Sequence, residues 1–194
     1  MLEYTFFRNA VIGIFLMSLV AAIVGTYVVT RRLVSLAGGV THATFGGLGL
    51  GYFCGFNPLW GALAFAVAAS LGVERLAEGG RVRSDSAIAV VWAVGMALGV
   101  LFVFLTPGYV PELTTFLFGN ILTIHSDDLW ITAGYLMVLI GLLAWRGRQI
   151  VASAFDADFA RVCGLAAGAI NRVMSLLIAV GIVLIIRVVG VMLL

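Results

Sequence analysis

The sequence predicts an all-α polytopic membrane protein, with about six transmembrane helices and one short cytoplasmic helix in a single domain over residues 1–194. Three observations predict it. Hydrophobic residues make up 63% of the 194 residues and charged residues only 10%, against about 45–50% and ~25% in ordinary soluble domains. The charges are segregated, leaving uncharged windows near the ~20 residues that span a bilayer. The 11 basic residues are all arginine, and they gather on alternate connections. Too little polar surface exists to cover a soluble globule, which excludes a soluble enzyme, a nucleic-acid-binding domain and a disordered chain. A net charge of +2 fits no polyanionic partner, so the surroundings implied are lipid, not nucleic acid.

The spans follow in order. Asn9–Thr30 is uncharged and ends at Arg31-Arg32. It lacks a cleavage site of signal-peptide type, so it reads as a retained span. Leu33–Val73 carries no Asp, Glu, Lys or Arg. Asn57-Pro58 marks a turn in its middle and divides it into helices over Gly39–Phe56 and Pro58–Leu76. Ser86–Thr106 is the fourth span, stopped by Pro107-Gly108. Leu129–Trp145 is the fifth and Val173–Leu194 the sixth. All are helices, because a backbone facing lipid must satisfy its own hydrogen bonds. If the connections after spans one, three and five face the cytoplasm, nine of the 11 arginines lie inside and the N-terminus lies outside. Cys54 and Cys163 are too isolated for a disulfide framework or a C-x-x-C metal site.

Gly46, Gly47, Gly49 and Gly51 crowd the second span. Small residues let helices approach closely, and they also loosen a helix that lines a path or hinges; both readings stand. His42 falls at the start of that helix. A lone histidine is commonly a hydrogen-bonded structural residue, but ionisable groups within a span are costly and usually face a cavity, which makes His42 a candidate pathway residue. On the outer segment 107–128, His125, Asp127 and Asp128 bring together one nitrogen donor and two carboxylates of the kind that suit Zn²⁺ or Mn²⁺. The plainer reading is a solvated loop with Asp127 or Asp128 capping span five. Glu112 adds to the same acidic surface.

Between Arg146 and Arg172 lies the longest cytoplasmic connection. Asp156 is a good N-cap, and Asp158 sits in the first turn, where the helix dipole favours an acid. Phe155, Phe159 and Val162 recur at i, i+4 and i+7 as one apolar stripe, and Gly164 can end the helix. Such a helix lies against the bundle, on the membrane surface or on a partner. Arg187, inside span six, costs about 2.5–3.5 kcal/mol in mid-bilayer. It is expected to snorkel outward or to pair with a further helix. A fixed positive charge would repel a cation, so Arg187 is not placed in a cation pathway.

Four stretches, in order, resemble the ABC-3 family, the membrane permease subunits of zinc, manganese and iron ABC importers. They are Arg31-Arg32 with Thr41-His42-Ala43-Thr44, Leu117-Phe118-Gly119-Asn120-Ile121-Leu122 with Asp128-Leu129, Phe155-Asp156-Ala157-Asp158-Phe159-Ala160-Arg161-Val162-Cys163-Gly164, and Val189-Gly190-Val191-Met192-Leu193-Leu194. The resemblance implies a translocation pathway for a divalent metal that includes His42. It also implies a coupling helix over Phe155, Asp156, Asp158, Phe159, Arg161 and Gly164 that docks on a cytoplasmic ABC ATPase. The implied partners are two ATPase subunits, an extracytoplasmic metal-binding protein and a second permease copy, in a bacterial inner membrane. The metal would be cargo, with no tightly bound cofactor. Gly38 stands where the family usually has an Asp, which removes one oxygen ligand beside His42. Family members run to eight or nine spans, so the chain is expected to be truncated at its C-terminus. The chain has no G-x-x-x-x-G-K-[ST] loop and no lysine to complete one, so it is not expected to be an enzyme. The alternatives are a siderophore or cobalamin permease, or an intramembrane enzyme. The enzyme reading finds no H-E-x-x-H or G-x-S-x-G motif to support it.

Overall fold

In the computed structural model, which describes residues 5–77, 83–107, 118–119 and 124–190, the chain is a bundle of helices. They are α1 (Thr5–Thr30), α2 (Val34–Cys54), α3 (Pro58–Ala77), α4 (Ser84–Leu105), α5 (Ser126–Phe155), α6 (Ala157–Val162) and α7 (Ala167–Val189). Five of them, α1, α3, α4, α5 and α7, are long and apolar enough to cross a membrane. The six expected spans are all present as long helices, but α2 falls outside that set. Its glycines, threonines and histidine lower its hydropathy, and they are tolerated because α3, α4 and α7 wrap it.

Local chemistry explains the turns. α1 ends with Leu33 N–H bonded to the Val28 carbonyl and Arg32 N–H to Val29, a Schellman arrangement. Arg32 takes the left-handed position at φ 56°. α2 ends the same way at Gly55, φ 72°, where glycine carries no Cβ penalty. Asn57 Oδ1 then accepts from Leu59 N–H at 3.0 Å, and Pro58 opens α3, where its missing N–H costs nothing.

Several boundaries differ from the sequence expectation. α2 begins at Val34, not Gly39, so His42 lies two turns inside the helix. α5 begins at Ser126 and continues past Trp145 to Phe155, with one non-helical residue at Arg146 (φ −119°, ψ 16°). α7 starts at Ala167, six residues before the uncharged window that begins at Val173. The reason is common to α5 and α7. Uncharged windows measure the lipid thickness, whereas helices continue into the polar zone as long as their backbone bonds are made.

α2 sits against α3 and α4, while α1, α5 and α7 form a second group joined to the first through α7. The segment Gly181–Ile186 of α7 is buried throughout. The α2 contacts are backbone to backbone. A Cβ built on Gly47 would strike the carbonyl of Gly61, and one on Gly61 would strike that of Gly47. A Cβ on Gly49 would lie 2.6 Å from the Gly99 carbonyl oxygen, and one on Gly95 would lie 2.5 Å from Ala43 Cα. A Cβ on Gly46, Gly47, Gly49 or Gly51 would in each case meet an atom of α3 or α4 closer than 3.0 Å, so all four sit at close helix contacts.

These glycines are expected to resist enlargement. Gly47→Val should lower stability in detergent by about 1–3 kcal/mol, the usual cost of overpacking, read as a drop in the apparent melting temperature. Gly25→Ala, where a Cβ meets nothing within 4 Å, should leave it unchanged or slightly raised.

Candidate functional site

Three groups of predicted residues fall in three places. His42, half-buried on α2, lies parallel to the indole of Trp92 on α4, with ring centroids 4.5 Å apart and planes 2° apart. The stack fixes the imidazole plane and leaves its nitrogens at the ring edge. Gly38 lies one turn earlier on the same face, and a Cβ there would meet nothing within 4 Å. The neighbouring threonine hydroxyls turn onto their own helix: Thr41 donates to the Ala37 carbonyl at 2.8 Å and Thr44 to the Thr41 carbonyl at 2.5 Å. Trp92 was not visible as a site residue in the sequence, since nothing local links positions 50 residues apart.

The outer group is organised by α5. His125 holds the N-cap position in extended conformation, and Asp128 joins it in a capping box, so of the two carboxylates expected to cap span five it is Asp128 that takes part. Asp128, at the third helical position, accepts from the His125 backbone N–H at 3.1 Å through Oδ2. Its other oxygen, Oδ1, pairs with Arg187 of α7. Both carboxylate oxygens are thus engaged, and the Asp128 side chain is only 11% exposed. Arg187 neither snorkels free nor waits for a further helix; its partner is the carboxylate at the start of α5. Asn9 of α1 reaches the same end, where its side-chain amide donates to the Ile124 carbonyl at 3.4 Å. Asp127 is exposed. Among the described residues no three His, Cys, Asp or Glu side chains converge as a metal site, and Glu112 lies outside the described residues.

At the arginine-rich end, α6 follows α5 through Asp156. Its carboxylate accepts from the backbone N–H groups of Asp158 at 3.0 Å and Phe159 at 2.9 Å, the N-cap expected from the sequence. Gly164 ends the helix at φ 77°, again with a Schellman pair from Leu165 N–H to the Ala160 carbonyl. Asp158 and Arg161 pair at 2.8 Å in the open. Ala160 is the buried foot of α6. The expected stripe is split, because Phe155 ends α5 and the extended Asp156 separates it from Phe159 and Val162 on α6; all three are nonetheless exposed, Phe155 at 80%, Phe159 at 63% and Val162 at 86%. Arg31, at the end of α1, donates to the Ser153 carbonyl at 2.8 Å, so this end of α5 is tied to the α1–α2 turn. Cys54 and Cys163 are both free.

The Asp128–Arg187 pair should behave as a partly buried bridge. Asp128→Leu or Arg187→Met alone should each cost about 1–3 kcal/mol by stranding a charge. The double variant should recover part of that loss. Detergent melting curves of the three proteins check it, and equal losses that simply add would contradict a direct pair.

Residues 3–194 match the ABC 3 transport family. The chain is 38% identical over 189 residues to an uncharacterised membrane protein of Synechocystis sp., covering 97% of this chain and 67% of that protein. It is 28% identical to the manganese transport system membrane protein MntC of Listeria monocytogenes, covering 100% of this chain and 69% of the relative. Among solved structures it resembles PsaBC from Streptococcus pneumoniae in complex with Fab, with TM-score 0.84 and 25% identity over 99% of this chain and 69% of that one.

Proposed function

Because the chain belongs to the ABC 3 transport family, we propose that it is the permease subunit of an ATP-driven importer of a divalent transition-metal ion, with manganese the first candidate and zinc and iron the others. The kind of metal follows the name of the Listeria relative, which also favours a bare cation over a siderophore or cobalamin. The reading has the chain in a bacterial cytoplasmic membrane with its N-terminus outside. It acts with a second permease copy, two ATPase subunits and an outer metal-binding protein. ATP chemistry belongs to the ATPase.

The observation that carries the coupling part is the exposed apolar set of Phe159 and Val162 on α6 and Phe155 at the end of α5, placed around the Asp156 cap and the buried Ala160. Large apolar side chains held out of the bundle at a charged end suit insertion into a groove on a partner. Asp158 and Arg161 flank the stripe and orient it. Movement of α6 passes directly into α5. From there it reaches α7 through the Tyr135 hydroxyl, which donates to the Leu177 carbonyl at 2.6 Å, and through Asp128–Arg187 at the far end. Closing of the ATPases thereby tilts α5 and α7 as a unit and alternates access to the path beside α2.

His42 is the one histidine in a span, and its stacked ring offers a nitrogen donor. Gly38 beside it contributes no carboxylate. Metal accumulation in cells carrying the complete transporter tests this reading. His42→Ala should cut uptake by about 10–100-fold, the range for disturbing a metal ligand's shell, while leaving co-purification with the ATPase intact. Phe159→Asp should do the reverse, losing the ATPase and uptake together. Unchanged uptake in His42→Ala would remove it from the path. Gly38→Asp, which has room for its side chain, should raise metal retention and slow release.

A further inference from the structure

We propose that the cleft at the bend of α5 is a binding site for an anionic phospholipid, with the headgroup phosphate on Arg146 and an acyl chain along an apolar floor. The bend at Arg146 separates the membrane part of α5 from its polar extension and opens a cleft against the start of α7. Leu142 and Trp145 line it from α5, Ala169 and Val173 from α7, and Arg146 is its charged member. Beneath them, the buried side chains of Ile150 and Met174 form the floor. Small residues on α7 leave the room that a leucine there would fill.

The level of the cleft is fixed by charge. The uncharged run of α5 ends at Trp145 and Arg146 follows; the uncharged run of α7 begins at Val173, after Arg172. Both helices therefore cross from hydrocarbon to headgroups at this point. Trp145, 76% exposed, has the amphipathic ring that prefers that boundary. The Arg146 guanidinium lies 4.8 Å from the Trp145 ring centroid, and its side-chain bond to Gln149 Oε1 is long, at 3.4 Å. Among the described residues the ion pairs are Arg161–Asp158 and Arg187–Asp128, so no carboxylate neutralises Arg146. Arg148 adds a second positive charge close by in sequence. A cation with no carboxylate partner among the described residues, beside an apolar cleft at headgroup depth, matches a lipid that is anionic at one end and apolar at the other. A water-soluble anion would use the arginine and leave the cleft empty; a zwitterionic lipid would use the cleft and gain little from the arginine.

Native mass spectrometry of the purified chain, with phosphatidylglycerol and phosphatidylcholine of identical acyl chains, tests the site. The wild type should retain phosphatidylglycerol in preference, and Arg146→Gln should lower that retention about fivefold, the loss of one interfacial charge contact. Ala169→Trp should fill the cleft and reduce retention of either lipid. If that variant does not fold, Arg146→Gln alone carries the test, with its circular dichroism as the folding control. Equal retention of the two lipids by the wild type, no change in Arg146→Gln, or complete displacement of the lipid by inorganic phosphate would each overturn the assignment.

Discussion

Between helices in lipid, burying another leucine gains little, because the alternative surroundings are just as apolar. α2 is held by something else. Its glycines bring its backbone against the backbones of α3 and α4, so that Gly47 faces Gly61, Gly49 faces Gly99 and Ala43 faces Gly95. Dispersion rises steeply with close approach, and three helices joined this way behave as one body. The remaining features of the chain depend on that body. A helix with low hydropathy can sit in the membrane only if other helices shelter it, and the only histidine in a span is carried by that helix.

The second group of helices is joined by polar contacts near the ends and one in the middle. Asp128–Arg187 closes the outer end between α5 and α7. The Tyr135 hydroxyl joins the same two helices within the span, where Gly181 lets the phenol approach to 2.7 Å of a built Cβ. Arg31 clamps the other end of α5 to the α1–α2 turn. Each contact satisfies a group that would be costly if left alone in low dielectric, and each is directional. Apolar packing permits sliding, whereas a few fixed polar bonds set which helices move together. In the proposed importer α5 and α7 would act as a lever, with α6 as its handle.

What the sequence disclosed and what it hid divide by range. Long uncharged windows revealed the helices, and local rules revealed Asn57-Pro58, the Asp156 cap and the Gly164 stop, because a cap or turn involves residues three or four apart. The boundaries of α5 and α7 were displaced, because arginines at a membrane surface are compatible with a continuing helix. The partner of Arg187 was hidden by 59 residues of separation, although a charge within a span requires a counter-charge somewhere. The outer residues illustrate the same limit. His125, Asp127 and Asp128 looked like one donor set, but capping geometry gives Asp128 to the helix start and to Arg187. The stack of Trp92 on His42 had no sequence signal at all, since any aromatic residue on α4 is a plausible lipid-facing side chain.

The glycine at position 38 bears on how the proposed pathway would operate. One carboxylate about 4 Å from a unit positive charge contributes about 4 kcal/mol at an effective dielectric of 20, and more for a divalent ion. Without it, a cation beside His42 in the proposed path would be held less tightly by that amount. A transport path does not need tight binding: the ion must enter, but it must also leave. An imidazole stacked on Trp92 would contribute a single nitrogen, so the ion would keep most of its water. Selectivity would then rest on the protein that delivers the metal, with the face of α2 that carries His42 providing a weakly binding passage.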